Sequence, residues 1–189
     1  MEPDARFCLV DGDESRAAPE ELVLAERYAG PRRAQFLAGR RAARMLTQAV
    51  WSADECGLPL PPPGWTGSIA HTAALAVAAA EPAADHTLGI DLEEIAPERP
   101  AIADVVLRED EDAPNWLELL RVFCLKEALY KALYPHLRRS VDFQEVAVRL
   151  APDAAAIFEF HLDCGSRFRG AGGSRMVQDK IFAWARVWR

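Results

Sequence analysis

Two hydrophobic periods alternate along the chain. Residues 19–29 and 31–51 follow the helical one. In the second segment Phe36, Leu37, Met45, Leu46 and Val50 recur at roughly helical spacing, and Pro31 stands near its first turn, where a missing N–H costs nothing. Segment 58–64 reads LPLPPPG, which fits neither a helix nor an inner strand and predicts a rigid connector. Three short strands are predicted next, at 67–72, 75–80 and 87–93, the last alternating Leu88, Ile90 and Leu92 with Gly89, Asp91 and Glu93. Residues 94–114 hold three prolines and seven acidic residues and predict a loop carrying a short helix. A long helix then runs from 115 to about 134, ended by Pro135, and strands follow at 141–150, 157–162 and 177–188. Each half reads as a helix followed by three strands, with no residue-level repeat. This pattern predicts an α+β fold of two similar helix-plus-three-strand lobes around a cleft: an N-terminal lobe at 1–94, an acidic connector at 95–114 and a C-terminal lobe at 115–189.

Composition narrows the function. The 189 residues suffice for one domain or two small lobes, and with 34 alanines and only 8% aromatic residues much of the core must be helix-packing alanine. A formal charge of -7 argues against a general nucleic-acid binder, but it averages two opposed segments. Between 27 and 44 lie Arg27, Arg32, Arg33, Arg40, Arg41 and Arg44 with no carboxylate, whereas 85–118 holds eleven acidic residues against Arg99 and Arg108. Such a pair of segments fits solvated helix faces, or an anion site beside a cation site. Cys8, Cys56, Cys124 and Cys164 are too scattered for a zinc or dithiol motif and read as reduced, partly buried thiols. The N-terminus lacks a charged-then-apolar signal pattern, and the longest apolar run, 73–80, is far short of the ~20 residues a membrane helix needs. A soluble cytoplasmic protein without nucleic-acid or membrane partners is expected, and a two-lobed chain with its own cleft can act as a monomer.

Three constellations carry candidate chemistry. Asp91 and Glu93 are two residues apart on one strand, so they share a face at ~7 Å spacing and can converge on one ion. The bland alternative is a strand with a polar outer face. Glu127 and Lys131 lie one helical turn apart in FCLKEALYK, an ordinary helix pair by spacing. Yet the chain has nineteen Arg and three Lys, and two of those lysines are Lys126 and Lys131. A compact ammonium able to approach a phosphate is the reason to choose Lys there. In GWTGSIAHT, at 64–72, small residues admit a ligand to the backbone, and Ser68, His71 and Thr72 offer phosphate donors. Ser68 lacks the nucleophile elbow of a serine hydrolase.

In order and spacing these motifs resemble the 4'-phosphopantetheinyl transferases that serve nonribosomal peptide, siderophore and polyketide synthases, in particular the enterobactin-synthase-component-D-like, surfactin-type branch. The residues that carry the resemblance are Arg33 with Phe36-Leu37-Ala38-Gly39-Arg40 and Ala42-Ala43; Gly67-Ser68-Ile69-Ala70-His71-Thr72; Gly89-Ile90-Asp91-Leu92-Glu93; and Lys126-Glu127-Ala128 with Lys131. The resemblance implies a pseudo-twofold pair of α+β lobes and transfer of phosphopantetheine from coenzyme A to a serine of an apo acyl or peptidyl carrier protein. It further implies Mg²⁺ held by Asp91, Glu93 and Glu127. Glu127 or a water it orients is then the base, Lys131 binds the transferring phosphate, and Arg33, Arg40, Ser68, His71, Thr72 and Asp91 contact the coenzyme and its metal. The sequence departs from the pattern at Ala70, where many relatives have Ser, and at Cys56-Gly57-Leu58-Pro59, where relatives carry a cation. Residues 95–120, with Trp116 and Leu117, are a candidate carrier-docking segment, a core role for both being the alternative. Two rival functions stay open: a relative that binds coenzyme A or carrier without transfer, and a metal-dependent nucleotide hydrolase.

Overall fold

A computed structural model describes residues 1–55, 57–95, 97–98, 100–151, 155–162 and 167–189. Cys56, Arg99 and Cys164 lie outside them. The strands are Asp4–Leu9 (β1), Ser52–Ala53 (β2), Pro59–Leu60 (β3), Trp65–His71 (β4), Leu75–Pro82 (β5), His86–Glu94 (β6), Val146–Leu150 (β7), Ala155–Phe160 (β8), Arg169–Val177 (β9) and Lys180–Trp188 (β10). The α-helices are Pro19–Ala25 (α1), Gly30–Thr47 (α2), Ala103–Val106 (α3) and Trp116–Leu137 (α4). The architecture is α+β, as expected, and divides into compact units Pro3–Ala84 and Asp85–Arg189.

In the first unit, the antiparallel sheet β1-β5-β4 packs against α2. Its core rests on small residues, Ala38, Ala42 and Ala43 from α2 and Ala76, Ala78 and Ala80 from β5, closed by the fully buried Trp51. Gly39 belongs to this close fit, because a Cβ there would stand 2.7 Å from Ile69 Cγ2. Residues 58–64 are more than a connector, since β3 pairs with β2. β1 carries polar Asp4 and Arg6 on an edge and gives little sequence signal.

In the second unit, α4 lies on the five-stranded antiparallel sheet β6-β10-β9-β8-β7. Its core uses larger side chains, including Leu120, Leu125, Leu129, Leu133, Phe158 and Val187. The strand carrying Asp91 and Glu93, expected in the N-terminal lobe, pairs with β10, so its place is in this sheet. Two strands more than expected result. The other is β9, whose Gly170, Gly172 and Gly173 dilute the strand signal. α4 also outruns its predicted end: Pro135 sits in the last turn, and the helix stops where Arg138 turns left-handed at φ 52°. Trp116 and Leu117 pack against this core, which favours the structural alternative for both.

Candidate active site

The central feature of the second unit is a set of charged side chains between α4 and β6. The odd positions of β6 face the helix. Thr87 Oγ1 donates to Ala132 O at 2.6 Å. A Cβ on Gly89 would stand 1.9 Å from Ala128 O and 2.6 Å from Ala132 N, so the helix backbone touches the strand backbone there. Leu88, Ile90 and Leu92 are buried on the opposite face. On β10, Ala183 and Ala185 stand opposite Asp91 and Gly89, which keeps the surface beneath α4 shallow.

This close approach delivers Lys131 to Asp91. Its Nζ donates to Asp91 Oδ1 at 2.7 Å and to Ile90 O at 3.0 Å. The Asp91 side chain is 9% exposed and that of Lys131 is 26% exposed. Burial pulls the Lys131 ammonium down, but the charge and hydrogen bond of Asp91, helped by Glu127, outweigh it and the net shift is upward. The ammonium therefore stays charged at neutral pH. Glu127, one turn earlier, is half-buried, and burial followed by the Asp91 charge raises its pKa. Burial and the Asp91 charge, opposed by Lys131, push Glu93 up to about 7. Below them Cys124 is free and buried, its thiol donating to Ile181 O at 3.5 Å and held protonated by burial.

Three carboxyl groups thus share one ammonium, and a hard divalent cation fits what is missing. Asp91 Oδ2 is buried and receives no hydrogen bond, so one oxygen is desolvated with nothing to accept from. Among the described residues, the one trio of ligand-type side chains whose ligand atoms all approach within 4.8 Å is Asp110, Glu159 and His161, not Asp91, Glu93 and Glu127. The wider set still suits Mg²⁺, which usually keeps several waters and takes only one or two protein carboxylates. The narrower trio is exposed, and its Asp110 and Glu159 are already paired with Arg149 at 3.1 and 3.5 Å.

The two lysines of the motif separate. Lys126 is 3% exposed and donates to Glu111 Oε2 at 2.5 Å, Val106 O at 2.7 Å and Phe143 O at 2.9 Å. Glu111 also accepts from the Arg108 N–H at 2.9 Å and the Val148 N–H at 2.6 Å. Lys126 and Glu111 therefore tie the acidic segment after α3 to α4 and β7, a role absent from the sequence reading. Beside them opens a cleft of about 250 Å³, lined by Glu127, Leu129, Tyr130, Leu133, Val141 and Phe143 among others.

The first unit holds the remaining sequence candidates, and it scatters them. Ser68 is 5% exposed and, by strand parity, on the opposite face of β4 from His71. Thr72 Oγ1 accepts from the Leu75 N–H at 3.2 Å in the β4–β5 turn. Arg33 forms a two-pronged pair with Glu14, at 2.6 and 3.0 Å. Arg40 is 2% exposed, donates to Trp51 O and Ser52 O at 2.9 and 2.6 Å, and is pushed down to about 10 by burial. His71 meets Arg32, which the sequence reading did not single out, at its Nε2. Near 56–59, where the sequence offers no cation, Arg27 Nη1 lies 3.5 Å from where a Cβ on Gly57 would be.

Close helix–strand packing that sets a lysine and three carboxyl groups together is accompanied by sequence kinship on both sides of it. Residues 87–171 match the 4'-phosphopantetheinyl transferase superfamily, and residues 18–81 match the 4'-phosphopantetheinyl transferase N-terminal domain. The chain therefore belongs to the 4'-phosphopantetheinyl transferase superfamily. It is 30% identical over 153 residues to the 4'-phosphopantetheinyl transferase PptT of Mycobacterium tuberculosis (strain ATCC 25618 / H37Rv). That match covers 72% of this chain and 66% of the relative, just under two thirds of its length.

Proposed function

We propose that this protein transfers the 4'-phosphopantetheine of coenzyme A to a serine hydroxyl of an apo acyl or peptidyl carrier protein, releasing adenosine 3',5'-bisphosphate. The observation that carries the reading is the buried Asp91–Lys131 pair, with Glu93 and Glu127 beside it and one Asp91 oxygen unsatisfied. Asp91, Glu93 and Glu127 would hold Mg²⁺, which when bound neutralises the pyrophosphate and polarises its oxygens. Glu127, its proton affinity raised by burial, accepts the proton of the carrier serine directly or through a water. The serine oxygen bonds to the phosphorus bearing the pantetheine arm, and that phosphorus releases its bond to the bridging oxygen, which leaves with the nucleotide. Lys131 stays charged and supports the phosphoryl oxygens as charge builds on them. The cleft next to Glu127, walled by Leu129, Tyr130, Leu133 and Phe143, suits the uncharged arm.

The carriers of this reading are those of siderophore, nonribosomal peptide or polyketide synthesis, and the protein works as a monomer in the cytoplasm, where coenzyme A is made. Among the described residues no helix is long and apolar enough to cross a membrane. Incubation of several apo carriers with coenzyme A and Mg²⁺, followed by intact-protein mass spectrometry, tests the reading. One phosphopantetheine per carrier serine is expected, and unmodified carriers throughout would defeat it. Glu127→Gln is expected to lower transfer by about 10²-fold or more with an unchanged circular dichroism spectrum.

A further inference from the structure

Six arginines fall between 27 and 44, and the fold uses four of them internally. Arg33 is clamped by Glu14. Arg40 is buried against backbone carbonyls. Arg41 donates to Leu9 O at 2.9 Å and Asp11 Oδ2 at 3.3 Å, and Arg44 to Glu21 Oε1 at 3.0 Å and Arg16 O at 2.7 Å. Arg32 is different: it is exposed, and no carboxylate pairs with it among the described residues. Its guanidinium lies over the Tyr28 ring, 5.5 Å from the centroid, and Tyr28 is itself backed by Phe36 at 4.9 Å. Its Nη1 reaches His71 Nε2, at the end of β4. Gln35 Nε2, donating to Thr72 O at 3.4 Å, ties the same stretch of α2 to the residue after His71.

We infer that Arg32, together with His71, binds the 3'-phosphate of coenzyme A, and that Arg33 and Arg40 do not. This inference rests on the proposed use of coenzyme A. A guanidinium is always protonated and finds nothing in a bare imidazole to neutralise it. An anion bridging the two groups lets both donate to it. The ring beneath Arg32 holds its fork in place before the ligand arrives, so little side-chain freedom is lost on binding. The pyrophosphate belongs with the metal carboxylates and Lys131, which leaves the terminal 3'-phosphomonoester as the anionic group of the coenzyme that requires its own cations. Arg33 serves instead to fasten α2 to the Glu14 turn, and Arg40 to anchor the backbone at Trp51 and Ser52.

Isothermal titration of the full chain with coenzyme A, and separately with 3'-dephospho-coenzyme A, tests this without carrier or turnover. Arg32→Gln is expected to weaken coenzyme A binding by about tenfold or more while changing dephospho-coenzyme A binding less than about threefold. Arg33→Gln is expected to keep the wild-type ratio of the two affinities, and Arg32→Lys to recover part of it. A wild-type ratio in Arg32→Gln, or a larger loss of the ratio in Arg33→Gln, would overturn the inference while leaving the proposed function standing. A wild-type protein that binds neither coenzyme would remove both.

Discussion

At Asp91 one carboxylate oxygen has an ammonium and the other has nothing. Replacing Lys131 by Met leaves a nearly buried charge without its partner, a change that typically costs about 3 kcal/mol or more. The expected result in urea melts of the metal-free protein is a lower midpoint with an unchanged slope, and millimolar Mg²⁺ should recover part of the loss by taking the place of the missing charge. No recovery would argue against cation binding at Asp91. Glu93 adds a pH dependence of definite sign. Its pKa rises from 4.5 to about 7 on folding, so the folded state favours the protonated form. The stabilisation is complete below pH 4.5 and is lost as pH climbs through 7. Metal-free protein should therefore melt lower at pH 8 than at pH 5.5, and Mg²⁺ should raise the melting temperature more at pH 8. Equal Mg²⁺ shifts at both values would contradict the assignment of Glu93. The acidic and lysine positions were legible from spacing alone, because periods of two and four residues fix which side chains share a face. The phosphate cations were not. Nothing in RRAQFLAGRR says which arginine meets a carboxylate 19 residues upstream and which meets a histidine 39 residues downstream.

The same geometry depends on two whole elements touching. α4 reaches β6 only because position 89 has no side chain, and a methyl group there would lie 1.9 Å from a helix carbonyl. Gly89→Ala must lift the helix or bend the strand, at a cost of about 1–3 kcal/mol and more if neither can move. Because Lys131 rides on that helix, transfer should fall along with stability, whereas loss of stability with full activity at low temperature would show that the packing does not position Lys131. The ion pair of Lys126 with Glu111 makes a separate prediction, since both side chains are almost fully buried, at 2% and 1% exposure. Glu111→Ala strands the ammonium and should cost about 3–5 kcal/mol. The double change Lys126→Met with Glu111→Leu should recover most of that cost, as a double-mutant cycle in urea would reveal. The helices and the motif strands follow from hydrophobic period. β1 and β9 escape it because an edge strand with charged residues and a strand with three glycines carry little pattern. The membership of β6 escapes it too, since chain order says only where a strand lies in sequence and its partner here is the last strand of the chain.

Across the molecule, the alanine count divides the chain unequally. The first unit buries mostly methyl groups around Trp51, while the second stacks leucine, valine and phenylalanine on α4. Stabilisation by burial scales with apolar area, at ~25 cal/mol per Å², so a side chain of alanine contributes far less than one of leucine. The first unit has fewer and smaller core residues for a similar length, and local opening should therefore be easier there. It also holds the arginine helix and His71, the groups assigned here to the nucleotide. Hydrogen exchange by mass spectrometry should show lower protection in β4, β5 and α2 than in β6, β10 and α4 when no ligand is present. Adding coenzyme A should slow exchange in α2 and around His71, because a ligand bound only by the folded form withdraws the opened one by mass action. Equal protection of the two units would mean that close-packed alanine, with its backbone-to-backbone contacts, stabilises as much per residue as a leucine core. Unchanged exchange in α2 at saturating coenzyme A would mean that the basic helix is a structural face of the protein and nothing more.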